Sequence, residues 1–442
     1  MIFSYRYLPL NLYIVFCIFS FSILFIAPFD YKGINYLLLS TYLIFVVLFF
    51  SLGYIRGAKG TLMDYRCHQF SLNFAAKASF RNVHRTIYFL VICSGLYVTN
   101  LWFDVFISGN FNFELSKLGS NYIDYYQDYE RGSANIDLTY VFNILLQSCL
   151  TLTLFIGVFY FKQMPIKMRI IFLLTIISYA LINILISGKM KFIGDLVIIL
   201  LVSSLFSLAH YRKSFNIKRI FIFVIFLFLL LMLFSEILSQ RYISAGISVL
   251  NIFEKGHDLR QWDPDSFFFK FLGNDLGFAV GSFFGYFTNG LYGLSLSMEM
   301  PFEWTYFVGN SYSLSRFVEV IADVSIIEHT YPLRVGVETG WDMSKWHSLF
   351  AWLASDITFF GVLPLAFIFG HYYGKLWVLA VSFSNPYAGP LFSYLSLGLT
   401  FSLSNNQIMH GMAGIITFLV LIILYFLKPN RCKVFLSPCE SK

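Results

Sequence analysis

The stretch INYLLLSTYLIFVVLFFSLGYI, residues 34–55, contains no charged side chain. A helix of about 20 apolar residues spans the hydrocarbon core of a bilayer, and this stretch reaches that length. Further apolar windows lie on both sides of it, at residues 9–28, 86–107, 139–161, 170–187, 192–210, 219–238, 349–370, 390–405 and 411–427. The sequence therefore predicts an all-α polytopic membrane protein with about ten transmembrane helices.

The composition of the whole chain agrees with this class. Hydrophobic residues make up 58% and charged residues only 12% of the 442 residues, whereas soluble globular proteins average about 25% charged. The sequence has no phosphate-binding Gly-rich loop, no His-Glu-x-x-His pair and no Gly-x-Ser-x-Gly nucleophile motif. It also has no basic-aromatic patch suited to nucleic acid. We therefore expect chemistry based on positioning and fixed charge, without a metal or cofactor and without a nucleic-acid partner.

The loop that follows residues 34–55 decides the orientation. Residues 56–85 hold six Lys and Arg side chains against one acid, Asp64. Cytoplasmic loops retain Lys and Arg, and the same excess recurs in alternate loops up to the tail. The intervening loops, such as 108–138, are acidic. This alternation predicts that both termini are cytoplasmic.

The same alternation divides the chain into three parts. Residues 1–239 form an N-terminal transmembrane bundle of about seven helices. Residues 240–347 form one large periplasmic loop, and residues 348–442 form a bundle of about three helices with a basic cytoplasmic tail. Loops of such length are usually functional, so the chemistry is expected there.

Residues 276–298 of this loop are uncharged. Glycines spaced four apart, from Gly273 to Gly285, lie on one face of a helix and allow close packing. If this segment crossed the membrane, Glu299 and Glu303 would lie inside without a basic neighbour. We therefore predict a membrane-associated helix on the outer leaflet. The alternative is that residues 276–298 form an ordinary transmembrane helix, paired with a second and less apolar one near residues 305–325.

Cations are depleted on the outer side of this topology, so those that remain require an explanation. The planar guanidinium of arginine suits bidentate contacts to phosphate, and a lipid pyrophosphate leaving group needs charge neutralisation. The alternative to phosphate binding is that each of these cations forms an ion pair with an acid of the loop. The candidate pyrophosphate- and glycan-binding residues are Lys189, Arg241, Arg260, Arg316 and Arg334.

Two ionisable residues flank the start of the helix predicted at 349–370. His347 lies at its mouth and could act as a general base near neutral pH, with a surface or structural role as the alternative. Asp356 lies about two turns inside it, where an ionisable group is costly and usually functional, although pairing with a buried cation is the alternative. Trp341, Trp346 and Trp352 surround this point, and we expect them to anchor the protein in the membrane interface, with a sugar-stacking platform as the alternative.

Three segments carry a resemblance to a known family. The first is YFTNGLYGLSL, residues 286–296, followed by Pro-Phe at 301–302, Trp-Thr-Tyr at 304–306 and Val-Gly-Asn-Ser at 308–311. The second runs from Trp346 to Gly361 and includes Asp356, and the third is the Ser-Gly-Lys turn at 187–189. With the ten-helix topology and dominant outer loop, these segments resemble the Wzy-type O-antigen or oligosaccharide repeat-unit polymerases of bacterial inner membranes.

The resemblance implies a membrane-embedded, GT-C-like glycosyltransferase. Such an enzyme moves a growing glycan from one undecaprenyl pyrophosphate to the non-reducing end of a new lipid-linked repeat unit. Its partners would be undecaprenyl-pyrophosphate-linked oligosaccharides, membrane lipid and a chain-length regulator protein. Periplasmic arginines would contact the pyrophosphates, with no metal required. The family offers no universal catalytic signature, so the expected base is His347 or a loop acid such as Glu338, with Asp356 ranked next.

Other functions remain open at this point. An O-antigen ligase shares the donor and the large loop, and typically carries a loop histidine near an arginine. A lipid-linked oligosaccharide flippase is a transporter, which usually shows paired halves with broken helices, and no such repeat is visible. A lipid-linked mannosyltransferase would need paired acids in the first outer loop, which offers only Asp30.

Overall fold

The computed structural model describes residues 5–66, 72–108, 138–187, 189–211, 259–343, 345–382 and 384–427, and part of 221–238. The first half of the described chain forms the helices α1 (Leu8–Ile26), α2 (Tyr36–Arg66), α3 (Leu72–Ser108), α4 (Leu138–Tyr160), α5 (Ile166–Ser187) and α6 (Lys191–Tyr211). The second half forms α7 (Phe267–Ser297), α8 (Tyr312–Ala322), α9 (Tyr331–Thr339), α10 (Leu349–Val381), α11 (Ala388–Phe401) and α12 (Met412–Leu427). Two short strands, β1 (Phe29–Tyr31) and β2 (Arg260–Trp262), form the described sheet.

Seven of the described helices, α1 to α6 and α10, are long and apolar enough to cross a membrane. Their outward-facing side chains are large and apolar, with Leu37 78% and Phe106 67% exposed. Such surfaces are stable only in lipid or against a partner. The all-α, multi-pass membrane class predicted from the sequence is therefore confirmed.

The predicted number of ten spans is not settled by these helices. The windows at 390–405 and 411–427 correspond to α11 and α12, which have 14 and 16 residues. The described residues within 221–238 are helical. Helix α11 is buried along nearly its whole length, so it lies inside the bundle. Ten spans stays a prediction.

The packing of α2 against α10 forms the centre of the bundle. A Cβ atom added at Gly53 would lie 2.0 Å from the carbonyl oxygen of Phe367, and one at Gly57 would lie 1.9 Å from that of His371. The contact is equally close from the side of α10, since a Cβ atom added at Gly370 would lie 2.1 Å from the carbonyl oxygen of Phe50 in α2. Small residues on both helices thus allow their backbones to touch, as is common between helices in membranes.

Two helices differ from their sequence windows. Helix α7 begins at Phe267 rather than near 276 and is interrupted at Gly273, whose φ is 74°. Helix α10 is broken at Thr358, whose φ is 65°. Residues 359–381 after this break are by themselves long enough to span the hydrocarbon core. Asp356 therefore lies in a separate helical segment before the continuous part, instead of two turns inside a straight helix.

Candidate functional site

The sheet joins the segment before α7 to the loop between α1 and α2. Strands β1 and β2 are antiparallel, with Phe29 opposite Trp262 and Tyr31 opposite Arg260. The guanidinium of Arg260 lies 4.7 Å from the Phe29 ring centre and donates a hydrogen bond of 2.9 Å to Asn289 Oδ1. Arg260, predicted to bind pyrophosphate, is thus engaged in joining these two segments.

Asp356 holds the loop at residues 305–310 through both of its carboxylate oxygens. Its Oδ1 accepts hydrogen bonds from Thr305 Oγ1 at 2.5 Å and from the Gly309 amide at 2.9 Å. Its Oδ2 accepts from the Asn310 amide at 2.9 Å and from Asn310 Nδ2 at 2.7 Å. Asp356 is 5% exposed and has no cationic partner among the described residues. These contacts give Asp356 a positioning role.

The held loop contains two consecutive residues with positive φ. Tyr306 and Phe307 have φ values of 56° and 64°, a region in which non-glycine residues pay about 1–2 kcal/mol each. Their rings point outward and are each 63% exposed, beside Trp304 at 48%. The hydrogen bonds to Asp356 offset this strain, so the carboxylate keeps three aromatic rings on the outer surface.

His347 lies in the protein core rather than at an open mouth. It is 2% exposed, and its Nε2–H donates to the Asp342 carbonyl oxygen at 3.2 Å. A Cβ atom at Gly293 of α7 would lie 2.9 Å from His347 Nδ1, so this edge of the ring is closed by the helix. Burial lowers the pKa of His347 to about 4. The imidazole is neutral at pH 7, as a base must be, but an acceptor hydroxyl cannot reach it in this conformation.

The tryptophans near His347 were expected to anchor the protein in the membrane interface. This expectation is wrong for two of them. Trp341 and Trp352 are 1% and 3% exposed, because they pack inside the outer part of the bundle. The Trp341 ring lies edge-on to Tyr292 at 4.8 Å. They contribute to the core instead of contacting lipid headgroups.

Arg334 is engaged in a charged triad. Its Nη2 lies 3.1 Å from Glu303 Oε1, its Nη1 donates to the Pro301 carbonyl at 2.7 Å, and its side chain is 11% exposed. His329 Nδ1 contacts the other oxygen of Glu303 at 2.7 Å. The hydrogen bond from His329, assisted by the charge of Arg334, lowers the pKa of Glu303. Arg334 therefore pairs with an acid of the loop, which was the alternative to pyrophosphate binding.

Arg316 is the most accessible of the predicted arginines that the structure describes. Its side chain is 60% exposed, with Nη1 at 3.2 Å from Glu319 Oε2. Its guanidinium carbon lies 5.8 Å from the centre of the Tyr312 ring. Arg316 also lines an open depression together with the acids Glu319, Asp323 and Glu328. Arg316 is thus paired with Glu319 and packed against the Tyr312 ring, while most of its side chain stays exposed.

The Tyr312 ring connects Arg316 to the turn before α6. Tyr312 stacks on the His410 ring, with centroids 5.6 Å apart and planes 16° apart. Burial, and then the positive charge of Lys191, lower the pKa of His410. His410 is therefore a neutral ring at pH 7. Lys189 lies two residues before Lys191 in the same turn. We call Lys189, Lys191 and Arg316 the outer cation cluster.

Two further polar residues support this region. Asp195 of α6 accepts a hydrogen bond of 3.0 Å from Gln407 Nε2 and lies near Lys191. Asn406 Nδ2 donates to the Asn310 carbonyl oxygen. The segment between α11 and α12 is thereby joined to α6 on one side and to the loop held by Asp356 on the other.

Glu338 and Arg241 are the remaining predicted site residues. Glu338 is exposed near the end of α9, so its role as a base stays a prediction. Arg241 lies outside the described residues. The structure thus brings Arg316 into the neighbourhood of the turn that carries Lys189, and it engages Arg260 and Arg334 in contacts elsewhere.

Sequence reasoning missed His410 and Tyr312. A signal for His410 existed, because it is an ionisable residue directly before the apolar window at 411–427, as His347 is before 349–370. Tyr312 carried no such signal, since an aromatic residue in an outer loop of this chain is common. Only the folded structure places its ring between Arg316 and His410.

Comparison with known proteins found no relative of this chain. No family model, curated protein or solved structure matches this chain. The resemblance to the repeat-unit polymerases therefore rests on the segments quoted above.

Proposed function

We propose that the protein is an O-antigen or related surface polysaccharide polymerase of the bacterial inner membrane. It joins undecaprenyl-pyrophosphate-linked oligosaccharide repeat units by glycosyl transfer at the periplasmic face. In this proposal both termini are cytoplasmic and the large loop is periplasmic. A chain-length regulator is a further partner, and the enzyme has the GT-C-like architecture of membrane-embedded glycosyltransferases.

The observation that carries the proposal is the outer cation cluster at the outer ends of α6 and α8. A lipid pyrophosphate presents its charge at the membrane surface while its acyl chain stays in the bilayer. Positive charge fixed there neutralises the leaving group as the glycosidic bond breaks. Arg316 supplies a planar guanidinium suited to phosphate, and the Lys189–Lys191 turn supplies two ammonium groups.

Fewer observations support the choice of the base that removes the proton from the acceptor hydroxyl. His347 is buried, and both Asp356 oxygens already accept hydrogen bonds. Of the three predicted catalytic residues, only Glu338 is exposed. In the proposal Glu338 is therefore the first carboxylate to test as base, and Asp356 positions the loop at 305–310.

Deletion of the gene in its own host provides the first test. The surface polysaccharide is then separated on a gel. A ladder that collapses to a single repeat unit on the lipid core identifies the polymerase, because export and ligation continue. If no repeat unit reaches the core, an O-antigen ligase or a flippase becomes the better assignment.

A matched pair of variants tests the cation cluster. Arg316→Ala should abolish polymer formation while the protein inserts normally, because the donor pyrophosphate loses its guanidinium. Lys270→Ala is the control, since Lys270 is an equally exposed cation of the same loop that pairs with Asp265 at 3.2 Å. Full-length polymer from Arg316→Ala at matched protein level would remove Arg316 from the site.

A further inference from the structure

A second group of cations lies on α2 and α10, away from the outer cation cluster. Arg56 and Lys59 are spaced three apart on α2, and His371 and Lys375 are spaced four apart on α10. Both spacings place the two side chains on one helix face. The backbones of the two helices touch at Gly57 and His371, and the charges of Lys375 and Arg56 both act on His371. The four residues therefore form one basic group, here named the inner basic group.

The inner basic group has no anionic partner in the described part of the chain. None of its four side chains forms an ion pair or a hydrogen bond there. The His371 Nδ1 atom is buried without a hydrogen-bond partner. Like charges placed side by side repel each other, so this arrangement favours a bound anion.

The depth of the group matches a headgroup layer. The outer end of α2 is fixed to α7, because the Asn35 amide donates to Ser295 Oγ at 3.0 Å. At 1.5 Å per residue, Arg56 lies about 30 Å along α2 from Tyr36, which equals the thickness of the hydrocarbon core. Tyr372, beside His371, is 43% exposed, as suits an aromatic residue at a membrane–water interface.

An apolar surface adjoins the group on the side of the membrane centre. Leu52 lies one turn before Arg56 on α2, and Ile368 lies one turn before His371 on α10. Both side chains are 51% exposed. A soluble phosphate would gain nothing from this surface, whereas a phospholipid would lay its acyl chains against it. The combination of cations with an adjoining apolar surface thus favours a lipid.

We infer that Arg56, Lys59, His371 and Lys375 bind the headgroup phosphate of an acidic phospholipid, in the leaflet opposite the large outer loop. Basic pockets between transmembrane helices bind such headgroups by charge and by contact with the acyl chains. The site is separate from the outer cation cluster and does not depend on the proposed polymerase activity. Its role is to stabilise the contact between α2 and α10, which carries the three like charges of Arg56, Lys59 and Lys375 at this end.

The test measures lipid binding to the purified full-length chain by native mass spectrometry. Phosphatidylglycerol is titrated against phosphatidylcholine. We expect Arg56→Gln/Lys375→Gln to weaken phosphatidylglycerol binding about tenfold or more and to leave phosphatidylcholine unchanged. The control is Lys162→Gln/Lys167→Gln, which removes two exposed cations from the turn before α5 and the start of α5. These lysines are predicted to lie on the same side of the membrane.

A charge-conserving variant separates binding from folding. Arg56→Lys/Lys375→Arg should keep at least most of the binding and the same unfolding temperature as the wild type. Unchanged phosphatidylglycerol binding in the Gln variant, or an equal loss in the Lys162/Lys167 control, would overturn the inference. Displacement of the lipid by equimolar glycerol phosphate would also overturn it, since the site would then select a soluble phosphate.

Discussion

At the residue scale, Asp356 shows why a carboxylate is needed at its position. A carboxylate has two oxygens that can accept about four hydrogen bonds, and Asp356 uses all of this capacity on Thr305, Gly309 and Asn310. Hydrogen bonds to an ionised acceptor are stronger than neutral ones. They are therefore able to hold the strained backbone at Tyr306 and Phe307.

The variant Asp356→Asn tests this positioning role. The side chain keeps its size, but its amide nitrogen cannot accept the hydrogen bonds of Asn310. We expect the free energy of unfolding to fall by about 2 kcal/mol, and the Gly309 and Asn310 amides to exchange hydrogen faster. Asp265→Asn is the control, because the Asp265 side chain is 86% exposed. Unchanged exchange together with lost polymer would instead place Asp356 in the chemistry.

His347 predicts a pH dependence of stability. Its pKa in the folded protein is about 4 because the ring is buried, while an unfolded histidine titrates near 6.5. The unfolded state therefore binds more protons between these values, and stability falls as the pH drops from 6.5 to 4. The loss reaches about 3 kcal/mol. Above pH 6.5 this contribution is fully present.

Thermal unfolding between pH 7 and pH 4 measures this effect. In His347→Gln the decline across this range should be smaller than in the wild type, even if the variant is less stable throughout. His84→Gln is the control, because it removes a partly exposed histidine whose Nε2 contacts the Gln163 carbonyl oxygen instead of a carboxylate. An unchanged decline in His347→Gln would show that other groups cause it.

At the element scale, the contact between α2 and α10 depends on glycine. In Gly57→Ala the new Cβ would lie 1.9 Å from the His371 carbonyl oxygen, and a backbone atom cannot move aside without separating the helices. We expect a loss of about 2–3 kcal/mol in unfolding free energy. Gly60→Ala is the matched control, because nothing lies within 4 Å of its added Cβ. Helix propensity should make this control neutral or stabilising by up to about 1 kcal/mol, and equal losses in both would refute the role of the close contact.

The break in α10 could not have been predicted from its residues. Pro364 is the obvious helix breaker, but a proline removes the hydrogen bond to the carbonyl four residues before it, which is that of Phe360. The break lies at Thr358, whose Oγ1 accepts a hydrogen bond from the Gly361 amide at 3.2 Å and so caps the following segment. The hydrogen bonds of Asp356 to a loop 50 residues earlier in the chain hold the segment before it. Contacts distant in sequence thus decide this feature.

At the scale of the whole molecule, contacts between described loops occur at two ends of the bundle. At one end Trp377 Nε1 donates to the Tyr5 carbonyl oxygen at 3.0 Å, and Tyr160 Oη donates to that of Pro386 at 2.5 Å. At the other end β1 pairs with β2. The alternation of basic and acidic loops predicts that these two ends lie on opposite sides of the membrane. Which end faces the cytoplasm stays a prediction.

Cysteine labelling tests that orientation. In a cysteine-free background, cysteines at Asp265 and Val337, both exposed in the large loop, should react with a membrane-impermeant maleimide on intact spheroplasts. Cysteines at Lys59 and Lys162 should react only after lysis. The reverse pattern would invert the topology and place the outer cation cluster in the cytoplasm, which would also exclude the proposed polymerase.

The sequence by itself determined the membrane class and the position of most of the long apolar helices that the structure describes. It could do so because a bilayer imposes a local requirement, about 20 apolar residues in each span, which is visible in a single stretch such as residues 34–55. The tertiary structure alone decided that His347 is buried, that Asp356 holds residues 305–310, and that Tyr312 joins Arg316 to His410. Each of these depends on contacts between segments far apart in the chain, and the local pattern of apolar and charged residues carries no information about which segments meet.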